Sequence, residues 1–351
     1  MKIVVDAMGG DNAPREIVKG AVDAINHSNN FDVILIGAQD LVNNELAKYS
    51  YDSNRVTVID ATEKITGDDE PVKAIKRKKD SSLVKAFNMI KSGEADVLVS
   101  AGNSGALLSG CILILSRIKG VDRPALAAII PSKGGKFFLL LDAGANTSCK
   151  AETLMNFAVM GKIYMEDVFD MENPRIGLLN VGIEEQKGNE AYKQAHQLLK
   201  NSDLNFVGNI EGSEVVSGKA DVIVCDGFTG NVLLKFYEGL GKLMLGNIKK
   251  MFMKSIFTKL SALVLKKGIN EMRNDFDAAE HGGAPFLGVN GKVVKSHGNS
   301  KSKDIMMTIL KAKKYGESDI IEKIKTSKYN KNNIIDKIKN YVDKTGGNIG
   351  E

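Results

Sequence analysis

Short runs of apolar, mostly β-branched residues alternate along this chain with longer stretches whose apolar positions recur every three or four residues. The first kind reads as buried strands and the second as amphipathic helices. Lys2–Val5, Val33–Ile36 and Val56–Ile59 are predicted strands. Helices are predicted between them from Pro14 to about Asn26 and over Asp40–Lys48. Pro14 stands at the first helical turn, where a missing N–H does no harm. This βαβαβ order implies parallel strands with helices on the faces.

The pattern continues through a helix at Ser81–Lys91, a buried strand at Val97–Val99 and a helix from about Ser104. Ala125–Ile130 and Phe137–Asp142 read as two strands joined by a hairpin-like turn, followed by a helix over Ala151–Glu166. Arg175–Asn180, Phe206–Gly208 and Asp221–Cys225 are further strands, with a helix at Asn189–Asn201 and another after Asn231. Gly282–Val289 reads as a Gly/Pro-rich loop, Val293-Val294 as a short strand, and a helix runs from there to about Lys314. Residues 1–315 are thus expected to form one α/β domain, and 316–351 a Lys/Asn-rich helical extension that frays from Thr345. No internal repeat is evident.

One segment departs from the pattern. Across Gly246–Lys267, Ile248, Phe252, Ile256, Leu260 and Leu263 share one helical face, with Lys249, Lys250, Lys254 and Lys259 off the stripe. The segment reads by default as a core or dimer-facing helix, with a basic amphipathic helix lying on an anionic membrane as the alternative.

With 351 residues, 43% of them hydrophobic and 26% charged, the chain has the composition of a globular protein with a sizeable core. A net charge of +5 is too small to imply nucleic acid, and the absence of Trp leaves little for base stacking. It is compatible with an acidic protein partner or an anionic surface; Lys73, Lys76, Arg77, Lys78 and Lys79 form a basic cluster that suits either docking or simple solvation. Cys111, Cys149 and Cys225 are far apart in apolar surroundings and read as reduced thiols of a cytosolic protein. The N-terminus carries no signal-peptide pattern, and the mid-chain apolar run Ala106–Leu115 is too short to span a bilayer.

The candidate chemistry lies in turns. Seven glycine-rich polar turns follow predicted strands: DAMGGD, SAGNSGAL, LLDAGAN, LLNVGIEEQKG, VCDGFTGN, GGAPFLG and SHGNS. In a parallel sheet the carboxyl ends of the strands share one edge, so these turns are expected to converge on one ligand site. They offer backbone N–H groups, Asn103, Asn146, Asn180, Asn231, the hydroxyls of Ser100, Ser104 and Thr229, Lys187, His297, and the carboxylates of Asp6, Asp11, Asp142, Glu184 and Asp226. Such a set suits orienting an anion such as phosphate and stabilising an oxyanion. No GxSxG elbow, P-loop or GxGxxG fingerprint is present, and the four histidines have no metal-ligand spacing. No cofactor and no metal are expected, and a bound phosphate acting as its own nucleophile fits the lack of a protein nucleophile.

MKIVVDAMGGDNAP, SAGNSGALL, LLDAGAN, GLLNVGIEEQKGN, DVIVCDGFTGNVLLK and GGAPFLGVNG with SHGNS closely resemble, in order from residue 1 to about 300, the bacterial phosphate acyltransferase family (PlsX), the acyl-carrier-protein:phosphate acyltransferases. The resemblance implies a three-layer α/β/α fold with a Rossmann-like, mostly parallel sheet, akin to phosphotransacetylase and isopropylmalate dehydrogenase. It implies transfer of a long-chain acyl group from acyl carrier protein to inorganic phosphate, giving acyl phosphate for phospholipid synthesis. It also implies a homodimer, cytoplasmic and peripheral to the inner membrane face, which supplies a membrane acyl-phosphate:glycerol-3-phosphate acyltransferase. On that footing Lys187 is the expected phosphate or oxyanion cation. Asp226 and Glu184 orient it or take a proton, and His297 protonates the leaving thiolate. Asp6, Gly9, Gly10, Asn103, Ser104, Gly105, Asn146, Asn180, Thr229, Gly230 and Asn231 are the expected phosphate- or substrate-binding positions, although the polar ones equally suit helix and turn capping. The rivals are a short-chain phosphotransacylase using acyl-CoA and a non-catalytic acyl-protein or lipid-binding regulator.

Overall fold

The computed structural model describes residues 1–255 and 283–327, together with Phe257, Thr258, Ser261, Ala262, Leu265 and Gly268. Eleven strands form one sheet: β1 (Lys2–Asp6), β2 (Asp32–Gly37), β3 (Val56–Asp60), β4 (Val97–Ser100), β5 (Ala125–Ser132), β6 (Lys136–Leu141), β7 (Ile176–Asn180), β8 (Phe206–Glu211), β9 (Val222–Val224), β10 (Ala284–Leu287) and β11 (Val293–Lys295). The helices are α1 (Arg15–His27), α2 (Gln39–Leu46), α3 (Pro71–Arg77), α4 (Ser82–Ser92), α5 (Ser104–Gly110), α6 (Ala151–Phe169), α7 (Glu190–Lys200), α8 (Gly227–Phe252), α9 (Ser302–Glu317) and α10 (Ile320–Thr326).

Two apolar cores follow from strand alternation, because successive side chains leave opposite faces. In β1, Ile3 and Val5 enter one core and Val4 the other. The first core is closed by α1, α2, α6, α7, α9 and α10, and the second by α3, α4, α5 and α8. The result is the three-layer α/β/α sandwich expected of alternating elements.

The sheet order is β3-β2-β1-β4-β11-β10-β5-β6-β9-β7-β8. β3, β2, β1, β4 and β11 are parallel to one another, and so are β6, β9, β7 and β8. Between these groups come three antiparallel pairings in succession: β11 with β10, β10 with β5, and β5 with β6. An odd number of reversals leaves the two parallel groups running in opposite directions. Their carboxyl ends therefore face opposite edges of the sheet, and the convergence of all the turns on one edge is corrected.

Three boundaries also differ from expectation. Ala284–Leu287, read as loop, is a strand whose Phe286 pairs with both Val293 and Leu126. The domain limit at residue 315 falls inside α9, and beyond it α10 buries Ile320 and Ile324 in the first core. The amphipathic stretch 246–267 is not one helix: its start completes α8, which is capped at Met253. Ile256, Leu260 and Leu263 lie outside the described residues.

Candidate active site

On one edge of the sheet the turns after β1, β4 and β11 lock together. Asp6 is buried, and its carboxylate accepts from Ser82 Oγ at 2.6 Å and from Ser100 Oγ at 2.7 Å. Burial raises the Asp6 pKa above its ordinary value, and the two hydroxyl bonds oppose that rise. The Asp11 N–H donates to the Gly298 carbonyl at 2.7 Å, and the Ser296 N–H to the Ser100 carbonyl at 2.8 Å. Asn103 is the N-cap of α5: its Oδ1 accepts from the Gly105 and Ala106 N–H groups, and its Nδ2 donates to the Thr66 and Gly67 carbonyls. Asp6 and Asn103 are thus committed to holding the turns. Gly9 and Gly105 serve close packing, since a Cβ would fall 2.5 Å from the Asp6 carboxylate and 2.7 Å from the Pro71 ring. Gly10 follows Gly9 with φ +95°, and Ser104 is exposed at the first turn of α5.

On the opposite edge, the turns after β6, β7 and β9 meet. Asp142 is buried and accepts from the N–H groups of Leu126, Gly144, Ala145 and Asn146 and from Asn146 Nδ2. Asn146 Nδ2 also donates to the Pro124 carbonyl, so this asparagine is spent inside the turn. Asp226 is the N-cap of α8: Oδ1 accepts from the Thr229 N–H at 2.8 Å and Oδ2 from the Tyr192 hydroxyl at 2.6 Å. Gly230 packs the first turn of α8 onto the Asp142 carbonyl, where a Cβ would sit 1.9 Å from the oxygen. Asn231 lies against Gly144. Asn180 Nδ2 donates to the Lys187 carbonyl at 3.0 Å, tying the Glu184–Gly188 loop to the end of β7. Glu184 and Lys187 are exposed on that loop, and among the described residues the Lys187 ammonium has no hydrogen bond or ion pair.

A cleft of about 410 Å³ opens here. Asn180, Gly188, Asn189, Tyr192, Asp226 and Thr229 form its polar side, and Val181, Val232, Leu233 and Phe236 its apolar side. Burial, aided by the bond to Asp226, raises the Tyr192 pKa and keeps the phenol protonated.

The two edges are linked by α8. Glu238 Oε1 lies 3.4 Å from His297 Nε2, twelve helical positions beyond the Asp226 cap, or about 18 Å along the axis. His297 instead borders a small cavity of about 50 Å³ with Lys295, Ser300 and Leu234. Burial lowers the His297 pKa, Glu238 opposes this, and Lys295 and Lys242 add to it. Within one chain, then, His297 does not share the cleft with Asp226 and Thr229. The expected catalytic set is divided between the two edges.

Along α8 only glycines are buried, while Phe228, Val232, Phe236, Leu240 and Leu243 are exposed, Phe236 at 66%. In the basic cluster, Lys73 is paired with Glu70 and Lys78 is tied to Asp69, leaving Lys76, Arg77 and Lys79 as exposed cations, Lys79 donating to the Ile75 carbonyl. Among the described residues no helix is long and apolar enough to cross a membrane.

Tyr192 and Asn189 were not singled out in the sequence. Tyr192 falls on the apolar stripe of α7 with Ala195 and Leu199, where periodicity reads as core. Asn189 caps α7 by accepting from the Tyr192 N–H.

This arrangement of the sheet is the fold of the phosphotransacetylases. A phosphotransacetylase from Streptococcus pyogenes superposes with a TM-score of 0.59 at 18% identity, over 90% of this chain and 94% of that one. A branched-chain phosphotransacylase from Enterococcus faecalis gives 0.56 at 14% identity, over 91% and 99%. Residues 1–323 match the family described as "Fatty acid synthesis protein". A phosphate acyltransferase of Acetivibrio thermocellus is 52% identical over 324 residues, 92% of this chain and 95% of the relative, and one of Clostridium novyi is 48% identical over 92% and 97%. The chain belongs to the phosphate acyltransferase family and is an acyltransferase.

Proposed function

We propose that the protein transfers a long-chain acyl group, reversibly, from the thioester of acyl carrier protein to inorganic phosphate. The observation that carries this reading is the two-sided cleft, polar where α8 begins and apolar along Val232, Leu233 and Phe236. A phosphate and an acyl chain each find a matching wall there. A phosphate oxygen attacks the thioester carbonyl carbon, the carbonyl becomes an oxyanion, and the C–S bond breaks to release the carrier thiolate. Lys187 supplies the mobile cation for the phosphate or the oxyanion. Thr229 and Asn231, at the N-terminal turn of α8, supply polar donors where the helix dipole favours negative charge. Asn180 and Asp226 act by holding the Lys187 loop and the α8 cap. The thiolate takes its proton from solvent at the open cleft, because His297 is too distant.

The carrier is the acidic partner that the exposed Lys76, Arg77, Lys249 and Lys250 suit. The exposed apolar face of α8 supports a homodimer, and its basic end supports peripheral attachment to an anionic membrane, from which product passes to a membrane acyltransferase.

Phosphorolysis with purified acyl carrier protein thioesters and acyl-CoA tests the reading. Acyl phosphate is expected from the long-chain carrier thioester, and Lys187→Ala is expected to lower the rate by about a hundredfold or more. Turnover of short acyl-CoA alone would return the function to a short-chain phosphotransacylase. Carrier binding without turnover would make it a regulator.

A further inference from the structure

The Lys187 loop is gripped from behind by two buried side chains outside the cleft. Asn209, on β8, donates from Nδ2 to the Glu184 carbonyl at 2.8 Å. With Nδ2 committed as donor, its Oδ1 faces His196 Nδ1 at 2.9 Å. An amide oxygen only accepts, so this network assigns the proton to Nδ1 of His196. His196 is buried on α7 and packs edge-on against Phe206, with ring centroids 5.1 Å apart. Its Nε2 lies 3.9 Å from the carboxylate of Glu185, the next residue of the loop, which Lys200 and Gln197 of the same helix also hold.

The grip is two-ended. The Glu184 carbonyl also accepts the Lys187 N–H at 3.1 Å, and Asn180 holds the Lys187 carbonyl. Gly188, at φ +90°, then lets the chain leave the turn; a Cβ there would fall 2.6 Å from Asn180 Oδ1. Surface exposure alone would leave a loop lysine free to wander. Here the backbone of the turn is tied at both of its carbonyls, and only the lysine side chain is left to move.

We propose that His196 and Asn209 are positioning residues: they fix the turn that presents Lys187 and so set where its ammonium meets the phosphate. The proposal rests on the role given to Lys187 above. Neither residue touches substrate.

A double-mutant cycle tests it. Rates with inorganic phosphate and the acyl carrier protein thioester are measured for Asn209→Ala, His196→Leu and His196→Asn, each alone and combined with Lys187→Ala, with the melting temperature of every variant. Asn209→Ala and His196→Leu are each expected to lower kcat/KM for phosphate by about tenfold to a hundredfold. His196→Asn, which keeps a donor near the Nδ1 position, is expected to restore most of the rate. In the Lys187→Ala background the same changes are expected to alter the rate by less than about twofold, because the positioned group is gone. If Asn209→Ala does not fold, Asn209→Asp replaces the donor with an acceptor against the Glu184 carbonyl and is expected to give the same pattern.

Losses that persist undiminished in the Lys187→Ala background overturn the positioning role and leave the lysine reading intact. Single variants with full rate overturn it as well. A fully active Lys187→Ala overturns both.

Discussion

Gly230 and Gly239 lie on the same helix, and the same substitution at each is expected to move stability in opposite directions. A Cβ at Gly230 would stand 1.9 Å from the Asp142 carbonyl oxygen and 3.0 Å from Cys225 Sγ. Neither neighbour can give way easily. The Asp142 N–H is bonded to the Cys225 carbonyl, and its carboxylate gathers four backbone donors. The start of α8 has to move by about 1 Å to restore a normal contact. Overpacking of this kind costs about 3 kcal/mol. The better helix propensity of alanine returns about 1 kcal/mol, leaving a net loss of about 2 kcal/mol. Gly239 is exposed with nothing within 4 Å of the added carbon, so Gly239→Ala keeps only the gain of about 1 kcal/mol. For a domain of this size the pair is expected to lower and raise the melting temperature by about 3 °C and about 1.5 °C respectively in a calorimetric scan. Gly230→Ala should also weaken phosphate use, because Thr229 and Asn231 move with the helix start. A Gly230→Ala protein melting at or above the wild type would refute the packing argument.

Asp6→Asn tests the raised pKa of the buried carboxyl. The folded protein keeps the Asp6 proton to higher pH than the unfolded chain, so Asp6 lowers stability as pH rises from about 4 through its folded pKa. The stability advantage of wild type over Asp6→Asn, measured by urea unfolding, should shrink across that range; parallel curves would count against it. Asp69 has the opposite sign. Its bond from Lys78 lowers its pKa to about 2, so its contribution is present above the unfolded value of 3.8 and fades as pH falls towards 2. Wild type should therefore exceed Lys78→Met at neutral pH by a margin that narrows in acid, and a constant margin would reject the pairing. Tyr192→Phe removes the donor to Asp226 Oδ2 and the acceptor of the Asp226 N–H. A loss of about 1–2 kcal/mol is expected as a shift in urea midpoint at unchanged slope, and an unmoved midpoint would mean the α8 cap does not depend on the phenol.

The repeating strand–turn–helix pattern was legible because each element carries its own signal. Ile3–Val5, Val33–Ile36 and Ala125–Ile130 are apolar runs of strand length, and Asn103, Asn189 and Asp226 stand where caps belong. Strand direction was not legible. Nothing local in Ala284–Leu287 says that it runs antiparallel to β11 and β5, and that pairing sends the two sets of turns to opposite edges. For the same reason His297 and Lys187, both in polar glycine-rich turns, looked like neighbours. Asn103 and Asn146 matched a phosphate site, and Asp226 a proton acceptor, as well as they matched a cap or turn, since both uses need the same short polar side chain. Only their partners distinguish the two.

The placement of β10 and β11 also bears on how the chain is made. These strands come from residues 284–295, yet they sit between β4, complete by residue 100, and β5, complete by residue 132. At translation rates of about 5–20 residues per second, β4 and β5 wait about 8–40 s for the hairpin that separates them. Through that interval each presents an unpaired backbone edge, and direct pairing of β4 with β5 would close the sheet without its centre. The two parallel halves can collapse on their own helices while the nascent chain grows, but the join between them is a late, long-range event. Emergence of residues 284–295, rather than of the first half, is then the moment at which the sheet becomes one.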